Sequence, residues 1–226
     1  MLQRRVVTAT TLEGAQRITP SLIGAESSDT TTINVPTGAQ AGDFALLFGY
    51  RPDLRSGWTQ TYNQTGAEPY FEAHHTFLPD PVPSSYTFTN MRLGILMVFR
   101  SVDSSTPLDV DPLPTLTTTN TSPSITTNNS RSMVVLGFAA EDASSNIGGS
   151  FGSNVPGAPT GYNLAKTQGE LTTSPSFRYT WFAAAYRPII NAAAETPTAW
   201  QDTDTGSAYS AANMAAGTIA LRGAAI

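Results

Sequence analysis

The sequence predicts an all-β protein: a single, jelly-roll-like β-sandwich of antiparallel strands with little or no helix. Three observations carry that expectation. Thr and Ser make up about a quarter of the 226 residues, far above average usage, and threonine's branched Cβ suits pleated backbone. Helix-favouring Lys, Glu and Leu are scarce: charged residues are 13%, against about 25% in an average domain, and Lys166 is the single lysine. Apolar residues recur with period two or in short solid runs, bounded by turn residues.

The patterning places strands at 4–11, 17–23, 30–35, 43–50, 57–63, 69–78, 85–90, 93–101, 115–119, 132–140, 161–168, 177–187, 197–202 and 215–222. Three runs are solidly apolar, at 93–99, 133–138 and 179–186, and such runs suit central strands. Tyr86-Thr87-Phe88-Thr89 alternates and suits a strand with one wet face. The segment from Pro36 to Asp43 is a turn cluster, and Pro79, Pro81 and Pro83 forbid ladder bonds at three positions. Residues 144–154 read as an exposed Gly/Ser/Asn loop. The Ala-rich pieces at 191–195 and 208–216 could each form one helical turn. Strand signals run end to end with no linker and no internal repeat, so one domain is expected at 25–226, with residues 1–24 as an N-terminal arm or first strands.

Composition narrows function. No cysteine excludes disulfides, thiolate metal sites and thiol catalysis. Net charge is −5, which argues against nucleic acid as a partner. No apolar stretch reaches the ~18 residues of a membrane span, and no signal-peptide pattern follows Met1, so a soluble protein without a cofactor is expected.

Each candidate for chemistry has a plainer reading. Gly148-Gly149-Ser150-Phe151-Gly152 matches G-x-S-x-G but lacks the buried strand and helix of a nucleophile elbow, so a glycine loop is the better reading. Asp202-Thr203-Asp204-Thr205-Gly206 opens like a calcium loop, but position twelve would be Asn213, which favours a solvated turn; Asp109-Val110-Asp111 is weaker still. His74 and His75 are adjacent in one strand, face opposite ways and cannot share a metal; one should pack and one be wet. No carboxylate pair stands out for glycoside hydrolysis. Among the aromatics, Trp181 reads as core and Trp58 as a plug at one end of the sandwich. Trp200 and Tyr209, in polar and Asp-rich surroundings, read as the exposed pair, suited to a subunit contact before a sugar. No catalytic, cofactor or metal residue is assigned.

The runs Ile33-Asn34-Val35-Pro36, Gly42-Asp43-Phe44, Ser56-Gly57-Trp58-Thr59, Ser85-Tyr86-Thr87-Phe88 and Phe99-Arg100-Ser101-Val102-Asp103 form a pattern. It resembles that of β-sandwich virion proteins of tailed bacteriophages, over roughly residues 30–222. Thr198-Ala199-Trp200 and the run 217–222 fit the closing strand. Ser56 stands where a proline commonly precedes Gly-Trp-Thr, and Phe99-Arg100-Ser101-Val102 replaces the usual Tyr-Arg-Gly-Val.

The resemblance implies a structural role and no enzyme. The first expectation is a capsid decoration or cement protein that contacts the major capsid protein, made in the host cytoplasm and carried on the outer surface of the virion. A head-fibre, tail or fibre subunit is the alternative, and a carbohydrate-binding module or adhesin a third. A homo-oligomer is expected, a trimer being the state decoration proteins often adopt. Arg4, Arg5 and Arg17 mark the arm as a partner contact, and removal of residues 1–24 is expected to reduce capsid occupancy.

Overall fold

The computed structural model describes residues 16–64, 69–110, 113–117, 119–143, 155–172, 178–211 and 213–226. Strand predominates and no helix occurs among the described residues. The strands are β1 (Ser21–Ser28), β2 (Thr32–Asn34), β3 (Phe44–Gly49), β4 (Thr59–Gln64), β5 (Phe71–Phe77), β6 (Ser85–Thr87), β7 (Gly94–Arg100), β8 (Leu113–Thr117), β9 (Ile125–Thr126), β10 (Ser132–Ala143), β11 (Pro156–Gly157), β12 (Asn163–Thr172), β13 (Arg178–Ile189), β14 (Ala194–Glu195), β15 (Gln201–Asp202) and β16 (Asn213–Arg222).

Two five-stranded antiparallel sheets carry the fold. One runs β1-β7-β3-β5-β4 and the other β12-β13-β10-β16-β8. They face each other across a single core. From the first sheet come Phe44, Leu46, Phe48, Phe71 and Met97; from the second come Met133, Val135, Phe182, Ile219 and Leu221. Side chains one residue out of phase point the other way, as strand geometry requires. They are buried too. Ala45, Leu47, Leu96 and Val98 lie under Ile33, Trp58, Tyr86, Phe88 and Met91. Val134, Leu136, Phe138 and Ala140 lie under Ile125, Tyr162, Trp200 and Tyr209.

The body is therefore four layers deep, and this explains the solid apolar runs: a strand covered on both faces has no wet side. Burying each such large side chain stabilises by ~1.5–3 kcal/mol. The outer covers are held by small ladders: β2 with β6 over the first sheet, β9 with β14 and β11 with β15 over the second.

The all-β, antiparallel expectation matches the structure; the jelly-roll detail is not confirmed. Every strand of the first sheet comes from residues 21–100 and every strand of the second from 113–222, so the chain completes one sheet before starting the other.

Several local expectations are corrected. The strand expected at 17–23 is centred later, at 21–28, and pairs with β7 through a bulge between Leu22 and Gly24. Residues 194–195 form β14 rather than a helical turn, because Ala194 and Glu195 pair with Thr126 and Ile125. Residues 213–216 belong to β16, where Met214, Ala215 and Ala216 are buried. The strand expected at 4–11 lies outside the described residues.

Candidate functional site

The motif residues quoted above find one another. Asp43 sits just before β3, after the left-handed Gly42 (φ +84°), and is buried. Arg100, at the end of β7, donates to it twice, Nε to Oδ1 at 2.9 Å and Nη2 to Oδ2 at 2.8 Å. Such a two-point guanidinium–carboxylate pair fixes geometry as well as charge. Trp58 stands edge-on to Tyr86 at 5.0 Å and to Phe88 at 5.3 Å between ring centroids. The "GD", "GWT", "SYTF" and strand-end motifs are thus fasteners that bind turns and covers to the first sheet.

Asp103 closes a second fastening. Its Oδ2 accepts Arg17 Nη1 at 2.8 Å and lies 3.8 Å from Arg222 Nε; its Oδ1 accepts Ser105 Oγ at 2.7 Å and the amides of Ser105 and Thr106. Around it, Ile18 N–H donates to Ala224 O, and Ile226 N–H to Gln16 O. Of the residues expected to reach a partner, Arg17 is held inside this clasp, and Arg4 and Arg5 lie outside the described residues. The described part of the 1–24 segment runs along the sandwich itself.

Trp200 and Tyr209 are not exposed. Trp200 is fully buried, stacked on Phe138 at 5.1 Å, and its Nε1–H donates to Ser122 Oγ at 3.0 Å. Tyr209 is 4% exposed and edge-on to Phe138. The polar neighbours that made them look wet are the hydrogen-bonded loops that lay them on the sheet: Trp200 N–H donates to Asn120 O, and Tyr209 N–H to Trp200 O, both at 2.8 Å. Trp58 lies on the outer face of the first sheet rather than at an end of the sandwich. Trp181, expected in the core, is half-buried. It lies over Gly169, where an added Cβ would come within 2.6–2.8 Å of its ring, and stacks on half-buried Tyr179 at 5.7 Å.

The two histidines do face opposite ways. His74 Nε2 lies 3.2 Å from Glu72 Oε2, with Gln60 Nε2 donating to the same oxygen at 3.1 Å. His75 meets Thr61 Oγ1 at 2.7 Å through Nδ1 and stacks on Phe44. Neither is wet, because the second face of the sheet is covered as well. Asp202 accepts the amides of Asp204 and Thr205, so the calcium-like sequence is a closed turn. Asp109 accepts the amides of Asn128 and Asn129 and the Asn129 side chain. The G-x-S-x-G match lies outside the described residues.

What the sequence did not single out is an open cleft of about 680 Å³ beyond the end of β3, lined by Thr31, Tyr50, Arg51, Asp53, Asn90 and Arg92. Arg51 has φ +50° and lays its guanidinium 3.4 Å from the Tyr70 ring centroid. Asn90 Nδ2 donates to Asp53 Oδ1 at 2.8 Å, and Arg92 Nη2 lies 3.2 Å from both oxygens of Glu170. Planar amide, carboxylate and guanidinium groups beside tyrosine rings suit hydroxyl-rich ligands. Arg51-Pro52 carried no periodic signal, so only the fold brings these groups together.

These environments set an acid response. Burial chiefly, and then neighbouring His74, lowers the His75 pKa, so the folded state resists a proton that the unfolded chain takes below pH ~6.5. The Ser105 hydroxyl first, then Arg17, holds Asp103 well below the carboxylate range, so its contribution is present above pH ~4 and lost as pH falls further. Burial raises Glu141, which works in the opposite direction and softens the loss. The urea midpoint is therefore expected to fall from pH 7 to pH 3, and Asp103→Asn to flatten the part below pH ~4.

No family model, curated protein or solved structure matches this chain.

Proposed function

We propose that the protein is a bacteriophage virion structural protein, and that it decorates the outer surface of the capsid and cements neighbouring capsid subunits. The observation that supports this reading best is the use made of the recurrent motifs. Asp43–Arg100 and Trp58–Tyr86–Phe88 hold turns and covers to a slab buried on both faces of both sheets. A body so fastened resists deformation and presents Thr, Ser and Asn side chains for broad contact, as a shell stabiliser requires. The acidic balance suits the outside of a capsid better than its DNA-facing side.

The direct test is thermal. Particles assembled without the protein should rupture at lower temperature, and purified protein added back should restore the wild-type value. Unchanged rupture with impaired adsorption to host cells would favour a tail, fibre or adhesin role instead.

For that second reading the supporting observations are the polar cleft lined by Arg51, Asp53, Asn90 and Arg92, and the half-buried Tyr179–Trp181 pair, which replaces Trp200 and Tyr209 as the aromatics a glycan could reach. A glycan array that loses its signal on Arg51→Ala or Trp181→Ala would support it; a blank array would count against it.

A further inference from the structure

The two sheets share one wiring. Ranked by order along the chain, the strands of the first sheet stand first, fifth, second, fourth, third across it; those of the second, counted from β8, stand the same way. Thus β1, β3, β4, β5 and β7 correspond to β8, β10, β12, β13 and β16. The covers correspond as well. β2 and β6 occupy the first-to-second and fourth-to-fifth connections of one half, and β9 and β14 occupy those of the other.

The match extends to single residues. A left-handed glycine, Gly57 (φ +81°) or Gly161 (φ +84°), precedes an aromatic, Trp58 or Tyr162. Each aromatic donates its N–H three residues back, to Arg55 O or Pro159 O, at 3.0 Å in both cases, and each packs on the outer face of its own sheet. One bulge follows at the same spacing, between Gln60 and Tyr62 in β4 and between Leu164 and Lys166 in β12. In the covers Ile33 and Ile125 are buried, and two residues later Val35 N–H donates to Ser84 O and Thr127 N–H to Ala193 O, both at 2.9 Å.

The contact between the halves is reciprocal. The registers make Phe71 the counterpart of Phe182, and these rings meet at 5.6 Å. β1 runs beside β12 and β4 beside β8: the first strand of each half lies against the third of the other. Such reciprocity is the mark of a two-fold, self-complementary interface.

We infer that the chain is a fused pair of one unit of five sheet strands and two cover strands, residues 21–100 and 113–222, the second half adding the β11–β15 ladder, and that the inner sheet face is a docking surface whose occupant is a second copy of the same unit. Similar wiring can recur in small antiparallel sheets by itself. It does not demand the same bulge, left-handed glycine and turn bond at the same spacing.

The sequence hides the repeat because the two sides of the interface are filled unequally. The registers pair Phe48 with Gly137 and Ile95 with Gly217 as counterparts. A Cβ on Gly137 would lie 2.8 Å from the Phe48 ring and 2.6 Å from that of Phe71, and Tyr62 fills the space over Gly217. A ring on one side is met by glycine on the other, which preserves total volume while erasing similarity.

The test exchanges counterparts in the full chain. Phe48→Gly opens a cavity and Gly137→Phe overfills the interface, so each alone should lower the melting temperature by roughly 10 °C. The double variant returns one ring from the opposite sheet, beside Phe182, and should recover at least half of the summed loss. Phe48→Gly with Gly217→Phe, an inequivalent pair, should recover nothing. Losses that simply add in the counterpart pair, or equal recovery in the control, would overturn the inference. A milder pair, Phe48→Leu with Gly137→Ala, reads the same coupling if Gly137→Phe does not fold.

Discussion

Trp200→Ala is expected to destabilise the protein by about 3–5 kcal/mol, the range for a large aromatic removed from a packed core. The side chain is fully buried between Phe138 and its covering loop, and its indole N–H satisfies buried Ser122. Truncation removes the ring, opens a cavity on the outer face of the second sheet and leaves the Ser122 hydroxyl without that donor. Trp200→Phe keeps the stacking and loses the hydrogen bond, so its cost should be nearer 1–2 kcal/mol. Urea unfolding followed by tryptophan fluorescence and circular dichroism measures both. A Trp200→Ala protein as stable as wild type would mean that the aromatic is not core.

Gly223→Ala is expected to cost about 3 kcal/mol or more, at the upper end of overpacking effects. A Cβ at this position would overlap the carbonyl oxygens of Ile18 and Arg131. These are backbone atoms from two distant segments, just before β1 and just before β10, so neither can rotate away as a side chain could. The same residue bridges to Val102, and its carbonyl accepts Arg17 Nη1 at 2.6 Å. Relief would require residues 16–19 to lift off, which also breaks the Arg17–Asp103 pair. The variant should therefore show a lower urea midpoint together with faster proteolysis at 16–19. An unchanged midpoint would place this terminal segment elsewhere.

The sequence was informative where one local rule decides the outcome. The solid runs became β7, β10 and β13, all interior strands, because continuous apolar residues mean burial on both faces. Pro79, Pro81 and Pro83 fall between β5 and β6, where the chain leaves the sheet for its cover. The opposite facing of His74 and His75 followed from strand geometry alone. It was silent or misleading where distant segments decide. Trp200 has polar neighbours in the sequence, yet Phe138 and Asn120, far away in the chain, bury it. β9, β11, β14 and β15 have two residues each, too few for any period to register. The clasp of Arg17, Asp103 and Arg222 joins residues from both ends of the chain and its middle, and no spacing rule links them. The cleft depends on where β3 stops, and the matching halves on register, which composition does not record.

In the proposed role, a stiff, fastened slab works by broad contact on the outside of a virion. Quantitative mass spectrometry of purified particles tests it most directly. Hundreds of copies per particle is the predicted result; a handful would move the protein to the tail, and its absence from particles would contradict the account.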